Sequence, residues 1–184
     1  MAPGHPVGVR AKVDTRPART FWWDREPVAE SDVLRAVIFD ADSALADDGR
    51  DTPRSGLVDS VMSLFCSGIW VGVVSRRRRE SVETLVRHTV GDGLVETIVT
   101  VDDLADISRG RDREAELYRL ALWELGITPR DALAVTGSRC GLRTATAAGL
   151  PALEIRAGYD APEPLLAAGF RRAHRRRRMN HLAA

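Results

Sequence analysis

The sequence predicts an α/β protein: a three-layer sandwich around a mainly parallel, Rossmann-like sheet. Three observations predict it. From residue 33 onward, short β-rich apolar runs alternate with helical segments, the pattern of a parallel sheet covered on both faces. Polar residues wait at the ends of four runs, as Asp40-Ala41-Asp42, Ser75-Arg76, Asp102-Asp103 and Thr136-Gly137-Ser138. In such folds, sites form at the carboxyl ends of the strands. The length, 184 residues, suits one globular domain with about thirty residues left for tails.

The elements follow in order. Residues 1–30 read as a poorly ordered arm, with three prolines by Pro17 and no periodicity. Phe21-Trp22-Trp23 interrupts that polarity; three adjacent aromatics are costly to leave in water and call for a docking surface, on this domain or on a partner. Strands are expected over 33–39, 69–74, 95–101, 132–136 and 152–155. Over 53–67, Leu57, Val58, Val61, Met62, Leu64 and Phe65 form one apolar helical face, closed by Gly68. A second helix spans 79–89. In a third, over 113–125, Leu117, Ala121 and Leu125 repeat at i+4 before Gly126, and a fourth spans 141–148. The α/β domain therefore occupies 31–170, followed by a basic tail over 171–184.

Composition closes several doors. The longest apolar stretches, such as 69–74, run to six residues, far short of the roughly 18–20 of a membrane span. The first residues carry no apolar segment of signal-peptide type. Cys66 and Cys140 make neither a disulfide framework nor a zinc pattern. A reduced, cytoplasmic protein is the expectation. His5, His88, His174 and His181 match no metal spacing and read as structural or solvated. Of 27 basic residues, 26 are arginine, and Lys12 is the one lysine. Chemistry that needs a lysine in the body of the domain is therefore excluded.

Asp40 and Asp42 carry the candidate chemistry. They stand two apart after the run Ala36-Val37-Ile38-Phe39, and a period-2 backbone would send both carboxylates the same way. Two close carboxylates can divide roles, one ionised and nucleophilic, the other acting as acid and then base. The pair also offers the hard oxygen ligands that suit magnesium.

Four stretches in order resemble one family. Residues 36–48, AVIFDADSALADD, resemble the opening motif of the haloacid dehalogenase-like (HAD) phosphohydrolase superfamily: an apolar run, F-D, any residue, D-G-T-L and an acidic end. Residues 71–75, VGVVS, are similar to its second motif. Residues 101–126 resemble the beta-phosphoglucomutase-like branch, with two acids, a loop and a helix carrying Tyr118, Ala121 and Leu125-Gly126. Residues 134–151, AVTGSRCGLRTATAAGLP, resemble that branch's last motif. The resemblance implies phosphate-monoester hydrolysis through an aspartyl-phosphate on Asp40, with Asp42 as acid and base. It implies magnesium held by the Asp40 carboxylate and the Asp42 backbone carbonyl, and Ser75 donating to a phosphate oxygen. Arg76 and Arg111 join Ser75 as candidate substrate-binding residues.

The departures from that pattern predict weakened chemistry. Ser43 and Ala44 replace the family's Gly and Thr, with the expected loss of a hydroxyl. The third motif has no lysine, only Arg109, Arg111 or Arg113, whose planar fork does not fill a lysine's space. The last motif has no carboxylate at Thr136-Gly137-Ser138, and losing a direct ligand costs more than the roughly 10- to 100-fold of an outer one. The resemblance implies that Asp102 and Asp103 follow a strand two places from that of Asp40, roughly 10 Å away. The spacings Asp42 to Ser75 and Ser75 to Arg111 leave no room for a helical lid. Two readings stand open: a weakened magnesium-dependent phosphohydrolase, or an inactive relative kept for binding, regulation or assembly. Without a metal, a guanidinium from Arg76 or Arg139 is expected to pair with Asp40 or Asp42.

The remaining charges have ordinary readings beside functional ones. Arg76-Arg77-Arg78-Arg79 is either a solvated helix start, with Glu80 and Glu83 as i+4 partners, or an anion-binding rim. The tail places six arginines and no acid in 171–184 behind an acidic body. It lacks interleaved aromatics, so a solvated tail is favoured over a nucleic-acid contact. The expected partners are a phosphorylated substrate or a protein, with a homo-oligomer possible and no membrane.

Overall fold

The sheet is centred on β1, Ala36–Asp40, which pairs with a strand on each side. The computed structural model describes residues 33–46, 52–104, 113–156, 159 and 169–171. The arm over 1–30, Arg109, Arg111 and the tail beyond Arg171 lie outside the described residues. After β1 come a turn (Ala41–Leu45), α1 (Leu57–Cys66), β2 (Trp70–Ser75), α2 (Arg79–Thr89) and β3 (Thr97–Thr100). Then follow α3 (Arg113–Glu124), β4 (Ala132–Thr136), α4 (Arg139–Ala147) and β5 (Ala152–Glu154). Strand order is β3-β2-β1-β4-β5, and every pairing is parallel. This is the α/β, Rossmann-like sheet that the alternation predicts.

Two apolar clusters make the layers. On β1, Val37 and Phe39 join Leu57, Val61 and Leu64 of α1 and Val82, Leu85 and Val86 of α2. Ala36 and Ile38 join Leu117, Ala121 and Leu122 of α3 and Ala145 of α4 on the other face. Neighbouring residues of a strand face opposite ways, so a strand covered by both clusters stays apolar until its last residue. Each large side chain buried here contributes about 1.5–3 kcal/mol. Asp40 is where that run stops.

Element ends differ from expectation where pairing sets them. β1 begins at Ala36 rather than 33, because its neighbours begin there: Ala36 registers with Trp70 and with Ala132. β3 is an edge strand of four residues, ended when Thr100 caps a 3-10 turn, Val101–Asp103. α1 starts at Leu57, since Pro53 pairs with Ala46 in an isolated bridge and Gly56 turns the chain at φ +71°. A side chain at Gly56 would also overlap the Tyr159 carbonyl oxygen. The single apolar face of α1 divides. Leu57, Val61 and Leu64 are buried, while Val58, Met62 and Phe65 are exposed.

Residues 41–69, between β1 and β2, hold only the turn and α1 among the described residues, which leaves no inserted cap there. Among the described residues, no helix is long and apolar enough to cross a membrane. Cys66 and Cys140 are exposed and free.

Candidate active site

Strand order reverses at β1, and Asp40 ends that strand, so the aspartate pair stands at the crevice where α/β folds bind ligands. The backbone does not continue in period 2. Asp40 caps the turn Ala41–Leu45, its Oδ1 accepting from the Asp42 N–H at 3.1 Å. The two carboxylates are brought to one cleft by a tight turn rather than by strand alternation.

Asp40 Oδ2 accepts from Ser43 Oγ at 2.8 Å and from Thr136 Oγ1 at 2.9 Å. Those hydroxyls are themselves 3.0 Å apart, and Ser43 Oγ accepts from the Gly137 N–H at 2.9 Å. The expected loss of a hydroxyl is thus made good: Ser43, in the place of the family's glycine, supplies one to Asp40. Two hydroxyl protons serve three contacts while Asp40 is ionised, and a proton on Asp40 would complete the set. Gly141 lets α4 approach; a Cβ there would overlap Thr136 Oγ1 and stand 2.7 Å from Asp40 Oδ2.

Burial raises the Asp40 carboxyl above its ordinary value near 3.8; the Ser43 and Thr136 bonds oppose this, and the Asp42 charge adds to it. A carboxyl raised in the folded state gives stability that is full below the unfolded value and lost as pH rises through the folded one. Asp40→Asn, which keeps the shape and removes the buried charge, is therefore expected to be more stable than wild type at neutral pH. Its lead in melting temperature should shrink on acidification and vanish below about pH 4. A lead unchanged at about pH 3.5 would exclude the buried charge as its cause.

Asp42 is held differently. Its Oδ1 accepts from Ser75 Oγ at 2.9 Å and lies 3.1 Å from Arg77 Nε. Its Oδ2 accepts from the Arg76 N–H at 3.0 Å and from Arg76 Nε at 3.4 Å. Of the two arginines considered for this contact, Arg76 makes it; Arg77 joins it unannounced. Arg76 precedes α2 and turns back to the site, so it does not take Glu80. Its Nη1 meets Glu114 at 3.3 Å, and Glu114 also accepts from Thr144 of α4.

The cleft is lined by Asp40, Asp42, Ser75, Arg76, Glu114 and Tyr118, with Ser138 and Gly141 at the start of α4. Of the candidate residues, Asp40, Asp42, Ser75 and Arg76 meet here, while Arg111 lies outside the described residues. Arg77 belongs to the run that the sequence offers as an anion-binding rim, whereas Glu114 and Tyr118 carry no site reading in the sequence. Glu114 and Tyr118 are four apart and aligned with Ala121, so polar groups on the buried stripe of α3 were the available signal. Asp102 and Asp103 stand apart from the site. Asp102 accepts from the Arg79 N–H, and Asp103 pairs with Arg79 at 2.7 Å. Burial works to raise the Asp103 carboxyl, but Arg79 and Thr100 donors hold it below the usual range.

The donor set does not fit the magnesium that the resemblance implies. Among the described residues, no three His, Cys, Asp or Glu side chains group to hold a metal, so magnesium would have to rest on Asp40 and Asp42 and its own waters. Asp42 faces two guanidiniums, and both Asp40 oxygens already accept hydrogen bonds. At Gly137, where the last motif would supply its acid, a Cβ would overlap the Ser43 carbonyl oxygen. The missing ligand is a change of backbone packing as well as of residue type.

A parallel sheet of this order, with paired aspartates leaving its central strand and a serine ending the next, defines the class: the chain has the haloacid dehalogenase-like fold. No family model matches it. Its relatives include Protein CbbY of Cereibacter sphaeroides, 32% identical over 127 residues, which make up 69% of this chain and 54% of CbbY. A crystal structure of a CbbY variant from Rhodobacter sphaeroides in complex with xylulose-(1,5)bisphosphate is 29% identical, with a TM-score of 0.50. That match covers 61% of this chain and 49% of that one. Beta-phosphoglucomutase of Clostridium difficile shares the fold at a TM-score of 0.56 and 9% identity, over 65% of this chain and 57% of that one. This chain spans about half the length of CbbY.

Proposed function

We propose that the cleft receives the phosphoryl end of a phosphorylated ligand, and that the chain is a phosphohydrolase-type protein whose hydrolysis is weak. The observation that carries this is the meeting of Asp40, Asp42 and Ser75 in one cleft at the carboxyl edge of the sheet. Asp40 is the nucleophile: its carboxylate attacks phosphorus and the ester oxygen leaves. Asp42 is the group positioned to protonate that oxygen and then to activate water.

Weakness follows from the same geometry. Asp42 accepts from Ser75 and from Arg76, with Arg77 beside it, so both its oxygens are engaged before a leaving group arrives. Loss of general-acid help costs roughly 10²- to 10⁴-fold. Burial draws Asp40 toward its protonated form, in which it is no nucleophile. With no cap among the described residues, the remainder of the ligand stays in solvent. A sugar phosphate is one candidate, since the structurally similar CbbY holds a sugar bisphosphate.

Purified chain incubated with p-nitrophenyl phosphate, in magnesium and in EDTA, tests the reading. Slow phosphate release, abolished by Asp40→Asn, is the expected result. Release that survives Asp40→Asn would remove Asp40 as nucleophile. The second reading, an inactive binding or regulatory module with a protein partner, draws on the Arg76–Asp42–Arg77 contact. Phosphate binding with no release under either condition would favour it.

A further inference from the structure

A buried hydroxyl with nothing to bond carries the inference. Tyr118 of α3 is 3% exposed, and its Oη has no hydrogen-bond partner. It lines the same cleft as Asp40, Asp42, Ser75 and Ser138. An unpaired buried hydroxyl costs about 1–3 kcal/mol, a cost that phenylalanine would avoid in the same space. Burial first, then the charges of Asp40, Asp42 and Glu114, raise this phenol above its ordinary range, so it keeps its proton. The cleft offers about 30 Å³, room for two waters at about 10–15 Å³ each, or for the leading oxygens of one tetrahedral group.

Charge at the rim points the same way. A bare Asp40–Asp42 pair would repel an oxyanion, and the donor set, with Asp40 taken by hydroxyls and Asp42 by guanidiniums, does not fit a divalent ion that would offset it. Instead Arg76 and Arg77 flank Asp42, at 3.4 and 3.1 Å, while Glu114 takes a second nitrogen of Arg76. Two guanidiniums against Asp42 and Glu114 bring the rim to formal neutrality. Arg76 is 60% exposed, so its guanidinium can turn from Asp42 to an entering anion at little packing cost.

We propose that the cleft binds the phosphoryl end of its ligand without a divalent cation, with Tyr118 donating to it directly and Arg76 and Arg77 in the cation's role. This rests on the phosphate reading above and departs from the magnesium site that the resemblance implies. The hydroxyl left unpaired in Tyr118 is satisfied by a phosphate oxygen, and the exposed arginines supply the opposing charge.

Calorimetric titration of the full chain with inorganic phosphate in EDTA tests it. Saturable binding is expected, and added magnesium should change the affinity by less than about twofold. Tyr118→Phe should weaken phosphate by about tenfold, the loss of one hydrogen bond to a charged group, while its melting temperature holds or rises. A merely structural tyrosine would give the reverse, a lower melting temperature and unchanged affinity. The double variant Arg76→Ala/Arg77→Ala should weaken binding by more than about tenfold. Phosphate binding that requires magnesium overturns the cation-free assignment and leaves the phosphate reading standing. No binding with or without magnesium overturns both, and wild-type affinity in Tyr118→Phe removes Tyr118 from the site.

Discussion

Tyr159→Ala is expected to cost about 3–5 kcal/mol, the range for emptying a large aromatic from a core. At this chain length that lowers the melting temperature by roughly 6–20 °C. Tyr159 is 1% exposed, its ring meets Phe39 edge-on at 6.1 Å between centroids, and its hydroxyl donates to the Ala44 carbonyl at 2.9 Å. Its own N–H donates to the Ser55 carbonyl at 2.5 Å, against the Gly56 turn. One residue thus ties the turn that carries Asp42 and Ser43 to the start of α1. Tyr159→Phe separates the two contributions: the ring stays, the Ala44 carbonyl loses its donor, and about 1–3 kcal/mol should go. Urea unfolding of both variants measures the difference. A loss below about 1 kcal/mol for Tyr159→Ala would show that the packing around Phe39 does not depend on Tyr159.

Nothing in the sequence marks Tyr159 as core. It follows the last strand in a stretch without periodicity, and what buries it is non-local: Phe39, Ala44 and Ser55 lie more than a hundred residues earlier. The elements that could be read to the residue are those whose own pattern sets their ends. β4, Ala132–Thr136, is buried throughout, and α2, Arg79–Thr89, runs as the sequence predicts. The ends of β1 and β3 could not be read, because the register of a neighbour decides them. In the site, Asp40, Asp42 and Ser75 were legible, since a polar residue after a buried run has only the carboxyl edge to occupy. Ser43 was misread, because a motif position does not reveal which way a hydroxyl turns. Arg77 was hidden inside a run of four arginines, where composition gives no reason to single out one.

Ser138→Asp is expected to create magnesium affinity where Gly137→Asp instead displaces the turn that carries Asp42. The last-motif resemblance points to Gly137 as the place for an acid, but its Cβ would overlap the Ser43 carbonyl oxygen and lie 2.9 Å from Arg54 Nη2. That is backbone, not a pliable side chain, so Gly137→Asp should cost at or above the roughly 1–3 kcal/mol of overpacking and displace the turn that holds Asp42. Ser138 lines the cleft and caps α4, its side chain accepting from the Gly141 N–H at 3.0 Å. Aspartate caps a helix as well as serine does, so Ser138→Asp should leave stability within about 0.5 kcal/mol. It adds a carboxylate beside Asp40, and magnesium, which needs only one or two carboxylates besides its waters, should bind at least about tenfold tighter than to wild type. Titration with magnesium after confirming the melting temperature decides it. A folded Gly137→Asp protein that gains affinity would mean that the Ser43–Gly137 contact is not the obstacle. Unchanged affinity in a folded Ser138→Asp protein would mean that the two guanidiniums on Asp42, rather than the missing carboxylate, keep the ion out.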